Sequence, residues 1–432
     1  MQRDDPDTIR GPLFEPGHND WPSRKSHCVR CIGIFLLLVV FAPPLMAEDW
    51  PQWRGPNRNG ISSEKGWLDH WPAEGPPIAW KAAVGMGFSS FTVADGRVYT
   101  TGNADNTDTI FCFAAATGKE LWKHSYPADL GDKFFEGGTT GTPTVDEGRV
   151  FALSRWGDLF CLEAATGKIV WTTNVAKQTG VRIPGWGFSG APTVLEHLLL
   201  LNVGDAGLAL NKATGQVIWQ SANKDAGYST PLPWKRDGRW SVLLGSAQSY
   251  LAVDSQTGKE LWRIRWLTQY GVNAADPVID GDLVFISSGY GKGAALLKPG
   301  AGPEPGVVWK SKVLRTQLNA AVLIDGYLYG GDGDASDNPA LKCVNIADGK
   351  EQWSEPGAAV GAIMAANGKL IIMGDHGELI IAPASAKGFQ PTARAQVLGG
   401  KCWTVPVLAN GFVYCRNSRG DVVSVDVRPK SL

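Results

Sequence analysis

The sequence carries no block of like charge. Across 432 residues Lys+Arg number 41 and Asp+Glu 42, a formal net charge of −1. Nucleic acid therefore meets no electrostatic footprint and is excluded as a partner. No apolar run approaches the ~18 residues that a membrane-spanning helix requires. Histidine is scarce, at 6; His124, His197 and His376 stand far apart without metal-ligand spacing, so nothing supports a zinc site. There is no Gly-x-Ser-x-Gly, and no Ser/His/Asp set can be assembled. No two cysteines are adjacent.

Glycine and tryptophan are what the chain has in surplus. Gly is 53 of 432, about 12%, and Trp is 18, against a usual Gly share of about 7%. Apolar residues at 44% leave ample material for a core, which excludes disorder for most of the chain.

Ile32 to Ala42, IGIFLLLVVFA, follows Arg24, Lys25 and Arg30 and precedes Pro43, Pro44 and Ala47. That order reads as a signal peptide cleaved after Ala47; an uncleaved anchor is the other reading. The mature chain is then periplasmic or extracellular, with no membrane span. No Cys follows the apolar run, so a lipidated N-terminus is not supported. Cys28 and Cys31 leave with the signal. Cys112, Cys161, Cys343, Cys402 and Cys415 form an odd set without a close pair and read as small buried apolar residues.

Self-comparison exposes a repeat. ATGKELW ends at Trp122, ATGKIVW at Trp171, ATGQVIW at Trp219, QTGKELW at Trp262 and ADGKEQW at Trp353, with degenerate copies at Trp80 and Trp309. The spacing of 42–49 residues suits a four-stranded antiparallel unit. Within the units, alternating segments flank hairpin turns at Asp95-Gly96, Glu147-Gly148, Asp280-Gly281, Asp325-Gly326, Asn367-Gly368 and Asn410-Gly411, where Gly supplies positive φ. Glu163, Asn211, Asp254 and Asn345 sit three residues before the second turn, placed to accept from its backbone N–H groups. The C-terminus supplies three strands, and the fourth is the early strand around Ile78 to Val84. Sharing one sheet between the two ends closes a ring. The expected architecture is an all-β, eight-bladed β-propeller; seven blades, with 262–309 misread, is the alternative. Residues 1–47 form the lead and signal, 48–75 an extension packing on the ring, and 76–432 the propeller.

The A/D-x-x-T-G-K-x-x-W signature resembles that of quinoprotein-type β-propellers built of pyrroloquinoline quinone (PQQ)-like repeats. DWPQWRGPNRNG (49–60) and CWTVPVLANGFVYCRNSRGDVVSVDV (402–427) are similar to segments of secreted bacterial PQQ-binding-like propellers. The resemblance implies that Trp80, Trp122, Trp171, Trp219, Trp262, Trp309 and Trp353 form a girdle, each docking on the neighbouring blade.

Chemistry in such a ring belongs at a mouth. Aligned inner strands give one ring of Ser89, Gly141, Gly190, Ser229, Ala275, Asn319, Gly361 and Thr404. The next is Ser90, Thr142, Ala191, Thr230, Asp276, Ala320, Ala362 and Val405. Asp276 and Asn319 stand out; they bind a cation or polar ligand, or they bond inner-strand backbone. One position earlier lie Phe88, Thr140, Ser189, Tyr228, Ala274, Leu318, Val360 and Trp403. With Trp186, the aromatics Phe88, Tyr228 and Trp403 either form a mouth that stacks on a planar ligand or sugar, or cap the core. Arg54 and Arg58 are candidate anion contacts.

The resemblance also implies an enzymatic alternative, an alcohol or sugar dehydrogenase using PQQ and Ca²⁺, with Asp276 as the weak candidate for a catalytic residue. That chemistry needs several oxygen ligands for the metal, and family enzymes carry adjacent cysteines beneath the quinone; this sequence offers one Asp, one Asn and no Cys-Cys pair. The Asp332–Asn338 stretch lacks the Gly and Glu of an EF-hand. The expectation is an exported, monomeric, non-enzymatic binding or scaffold module for an envelope protein, glycan or small ligand. Outer-membrane assembly factors use similar rings in this way.

Overall fold

The computed structural model describes residues 48–334, 339–357 and 362–429. The segment 1–47 with its cleavage point at Ala47, the inner-strand positions Val360 and Gly361, and part of the Asp332–Asn338 stretch lie outside the described residues.

Eight four-stranded antiparallel units follow one another along the chain. Blade 1 begins at Thr92–Ala94, blade 2 at Thr144–Asp146, blade 3 at Thr193–Leu195, blade 4 at Leu232–Arg236, blade 5 at Val278–Asp280, blade 6 at Val322–Ile324 and blade 7 at Ile363–Ala366. Blade 8 combines Val407–Ala409, Phe412–Arg416 and Asp421–Asp426 with the early strand Ile78–Ala83, whose Lys81 pairs with Val423. The ring therefore closes as the sequence implies. Ile61–Ser62 adds a fifth, parallel strand to blade 7 through Ile61 and Ala365, which the repeat does not foreshadow.

Most of the hairpin turns keep the expected residues, with φ of 50° at Asp95 and 70° at Gly96. In blade 5 the turn slips by one residue: Asp280 ends the strand, and Gly281, at φ 57°, opens the turn. Gly in the first turn position is the II′ solution. Asn211, Asp254 and Asn345 hold their turns as expected; Asp254 Oδ1 accepts from Gln256 N at 3.1 Å and Thr257 N at 2.9 Å. Glu163, one methylene longer, accepts instead from the Thr166 hydroxyl at 2.9 Å.

The core is a succession of seams between blades. Tyr99, Ile110 and Cys112 of blade 1 pack with Val150, Phe160 and Leu162 of blade 2; Leu198 and Leu200 of blade 3 pack with Val242 and Leu251 of blade 4. A middle strand is thus buried on both faces, which explains a run such as Leu198–Leu201. The largest cluster joins blades 7, 8 and 1 with Trp50 and Trp67. The five described cysteines are free and buried. Burial pushes the Cys112 and Cys402 thiols up to about 12 and those of Cys161 and Cys343 to about 11, so they serve as packing atoms rather than nucleophiles.

The tryptophan girdle stitches the outer rim. Nε1 of Trp80, Trp122, Trp171, Trp219, Trp309 and Trp353 donates to Ala115 O, Ala164 O, Lys212 O, Ser255 O, Ile346 O and Ser385 O of the next blade. Each of the first five rings lies on the turn glycine of that blade: a Cβ on Gly258 would sit 2.5 Å from Trp219. Trp262 is buried too, but the turn after it is the longer 299–305 loop, where Gly300 has nothing within 4 Å. The degenerate repeat has lost its docking glycine there, not its blade.

Gly258→Ala should therefore destabilise more than Gly238→Ala in the same blade. Gly238 shares the left-handed backbone (φ 75°) with open space around it, so its variant carries only the strain of about 1–2 kcal/mol. Urea denaturation of the two variants measures the difference. Equal losses would show that the ring over Gly258 is not a tight joint.

Candidate functional site

The inner strands converge on the axis, and crowding selects their residues. A Cβ on Gly190 would stand 2.5 Å from Ser229 O, and one on Gly141 2.8 Å from Leu153 O. Strand alternation then decides which positions face the opening. Thr140 and Thr142, Ser189 and Ala191, Tyr228 and Thr230, Ala274 and Asp276, and Trp403 and Val405 line one cavity of about 400 Å³. The ring between them, including Ser89 and Ser229, turns into the blades, where Ser229 Oγ accepts from Gly245 N at 2.9 Å. Asn319 and Thr404 of that ring do reach the cavity.

One end of the channel is covered by the extension. Trp50 pairs with Val93, and Pro51 O accepts from Val145 N at 2.7 Å. Arg54, 6% exposed, donates to Ala320 O at 3.0 Å, Ala321 O at 2.8 Å and Asn59 O at 2.9 Å. Arg58 donates to Val194 O at 2.8 Å. For Arg54 the expected anion contact is thus corrected: its guanidinium is spent on carbonyls because the extension must satisfy backbone groups that it buries. Arg58 gives one donor to a carbonyl, and its Nε stays buried without a partner. Trp53 enters the channel, and its Nε1 donates to Asp276 Oδ2 at 2.6 Å, while Asp276 Oδ1 accepts from Thr230 N at 2.7 Å. Asp276 therefore bonds both inner-strand backbone and the extension. Burial pushes its carboxyl up, opposed by the Arg54 charge and by the bonds from Thr230 and Trp53.

The other end is open and aromatic. Phe88 stacks on Trp403 with centroids 6.0 Å apart and meets Phe135 at 5.9 Å. Phe134 meets Trp186 at 5.4 Å, and Trp186 meets Tyr228 edge-on at 6.0 Å and Tyr270 at 6.3 Å. Tyr270 meets Tyr290 at 5.3 Å. The result is a horseshoe running from blade 8 through blades 1–5, with Gln317 and Asn319 of blade 6 beside its gap. Asn319 Nδ2 donates to Trp403 O at 3.0 Å.

Two cations hold this rim from behind. Arg155 is 3% exposed and donates to Leu130 O, Gly131 O, Gly138 O and Trp186 O at 3.0–3.4 Å, with its guanidinium 4.9 Å from the Phe135 centroid. Lys401 lies 4.2 Å from the Trp403 centroid and pairs with Glu136. All six residues singled out in the sequence, Phe88, Trp186, Tyr228, Asp276, Asn319 and Trp403, line this one cavity. The sequence reading missed Trp53, Phe134, Phe135, Tyr270 and Tyr290. Their only signal was large aromatics standing in polar, glycine-rich loops such as GDKFFEGG.

The fold and the cavity define an eight-bladed β-propeller with a one-ended aromatic cup. The family model described as outer membrane protein assembly factor BamB matches residues 106–355, more than half of the chain, and the chain belongs to that family. Among solved structures, BamB from Moraxella catarrhalis is similar at 16% identity and TM-score 0.61, with 81% of this chain and 99% of that chain covered. Quinohemoprotein alcohol dehydrogenases are similar as well: ADHIIG from Pseudomonas putida HK5 at 12% identity and TM-score 0.65, and the Comamonas testosteroni enzyme at 15% and 0.62. For both, 89% of this chain and 81% of theirs are covered. Identities this low speak for the fold alone. A search of curated proteins finds no match.

A quinone with Ca²⁺ does not fit the residues present. Among the described residues no three His, Cys, Asp or Glu side chains gather as metal ligands. The cavity lining, among the described residues, offers one carboxylate, with both oxygens engaged, and no Lys or Arg to meet a tricarboxylate.

The raised Asp276 carboxyl gives a pH test. The native state holds this proton to higher pH than the unfolded chain, so its contribution to stability is complete at low pH and is lost as pH rises from about 3.9 through the native value. Asp276→Asn should flatten that part of the stability–pH curve in urea denaturation; an unchanged slope would show that the carboxyl titrates normally.

Proposed function

We propose that this chain acts outside the cytoplasm as a monomeric, non-enzymatic binding module, and that its ligand seats in the aromatic cup. The observation that carries the reading is the one-ended cavity of about 400 Å³ walled by aromatic faces, within the roughly 300–1,000 Å³ of small-molecule sites. Such faces offer large contact area at little entropic cost. Trp186 and Trp403 are the principal walls, Phe88 and Tyr228 complete them, and Asn319 and Asp276 orient the ligand and the floor. A ligand of this kind comes as a free small molecule, a glycan, or a group displayed by an envelope protein. No helix of the described residues is long and apolar enough to cross a membrane, and the segment 24–47 has the order of an export signal.

Titrating the mature chain with a panel of small saccharides and planar heterocycles, read by tryptophan fluorescence, tests the cup. Trp186→Ala and Trp403→Ala should each weaken whatever binds at least about tenfold with the unfolding midpoint retained. Binding untouched by either variant would place the site elsewhere. For the export signal, N-terminal sequencing of protein from the cell envelope should begin at Glu48; an intact N-terminus in the membrane fraction would indicate an anchor.

A further inference from the structure

We infer that the ligand of the cup is an uncharged carbohydrate of one or two sugar rings; this rests on the reading that the cup is the binding site. Three observations converge on it. The first is the lack of charge. Asp276 is the single carboxylate along the described lining, and its oxygens already accept from Trp53 and Thr230. Arg155 is committed to four carbonyls and Lys401 to Glu136, and Lys133 lies exposed at the outer edge, 5.2 Å from the Phe134 centroid. An anionic ligand in the depth of the cup would be desolvated without a counter-charge, which is costly.

The second is the hydroxyl pattern in the depth of the cup. Thr142 Oγ1 accepts from Ser90 N at 3.0 Å and Thr230 Oγ1 from Ala191 N at 3.1 Å, so each keeps its O–H to donate. Thr140 Oγ1 donates to Phe188 O at 3.3 Å and Thr404 Oγ1 to Phe88 O at 3.2 Å, so each keeps a lone pair to accept. Ser189 lines the cavity as well. Donors and acceptors thus stand on neighbouring inner strands. A polyol, whose every hydroxyl is both donor and acceptor, satisfies such a mixture; a quinone or flavin edge, rich in fixed acceptors, leaves half of it unmet.

The third is the wall. Sugar rings turn polarised C–H bonds to one face, and the negative π-face of Trp186 attracts them; Trp403, with Lys401 over its ring and Phe88 stacked on it, completes the wall. Asn319 of blade 6 lines the cavity with its Nδ2 given to Trp403 O, so its Oδ1 is the atom placed to accept from a hydroxyl of a ring so held.

The test is calorimetric titration of the mature chain with neutral disaccharides (cellobiose, maltose, chitobiose), with digalacturonate and with lumiflavin. The expected result is at least one neutral disaccharide binding about tenfold or more tighter than digalacturonate and lumiflavin. That affinity should fall about tenfold in Trp186→Ala and return largely in Trp186→Phe, which keeps an aromatic face. Ser189→Ala should weaken the sugar about three- to tenfold, as for one hydrogen bond, and leave lumiflavin unchanged. Digalacturonate or lumiflavin binding as tightly as the sugars would overturn the carbohydrate assignment while leaving the cup as the site. If no probe binds, both readings fall.

Discussion

One hydrogen bond, from Trp53 Nε1 to Asp276 Oδ2 at 2.6 Å, decides what kind of opening this ring has. Eight inner strands leave a passage along their axis, and the extension closes it by sending a tryptophan into it. The carboxylate that receives the indole is itself fastened to Thr230 N, and Arg54 beside it binds the carbonyls of blade 6. A passage open at both ends offers a ligand two exits and no floor. With the floor in place, the cup has depth, a base whose one carboxylate is already bonded on both oxygens, and an aromatic entrance.

Tryptophan does two separate jobs in this molecule. At the outer rim its ring covers a turn glycine and its N–H reaches the next blade, so each joint combines apolar burial with a satisfied donor. At the mouth Trp186 and Trp403 keep only part of their surface covered and are aimed by loops rather than strands. Those loops hold their shape because Arg155 gathers four carbonyls and Lys401 ties Trp403 to the loop of Glu136. The stability of the ring and the shape of the cup are therefore carried by different residues. That separation makes rim substitutions informative about binding.

Much of the fold was legible because its constraints are local and repeated. A turn glycine, an acceptor four residues before it and a tryptophan after it recur in phase, and the ring needs the strand near Trp80 to complete its last sheet. The slip at Gly281 was not legible, since one residue of register leaves composition unchanged. The candidate site was legible mainly where inner-strand alignment applied: Phe88, Tyr228, Asp276, Asn319 and Trp403 fall in phase with the repeat, and of the loop aromatics Trp186 alone was singled out with them. Phe134, Phe135, Tyr270 and Tyr290 lie in loops of unequal length, and Trp53 reaches the cup from more than two hundred residues away in sequence from its partner Asp276; no periodicity encodes such contacts. Membership of the family that includes outer-membrane assembly factors, together with likeness to quinohemoproteins, shows how far one ring can be turned to different ends. What differs is the content of the mouth.

The claim on which the account turns is that the extension is a fixed part of the ring and forms the floor of the cup. Hydrogen–deuterium exchange at residues 50–60 tests it most directly. Trp50 N is bonded to Val93 O, and Gly60 N to Arg54 O. The account predicts that these amides exchange as slowly as those of the seam strands. Exchange at the rate of an unstructured peptide would mean an open channel, and would contradict it.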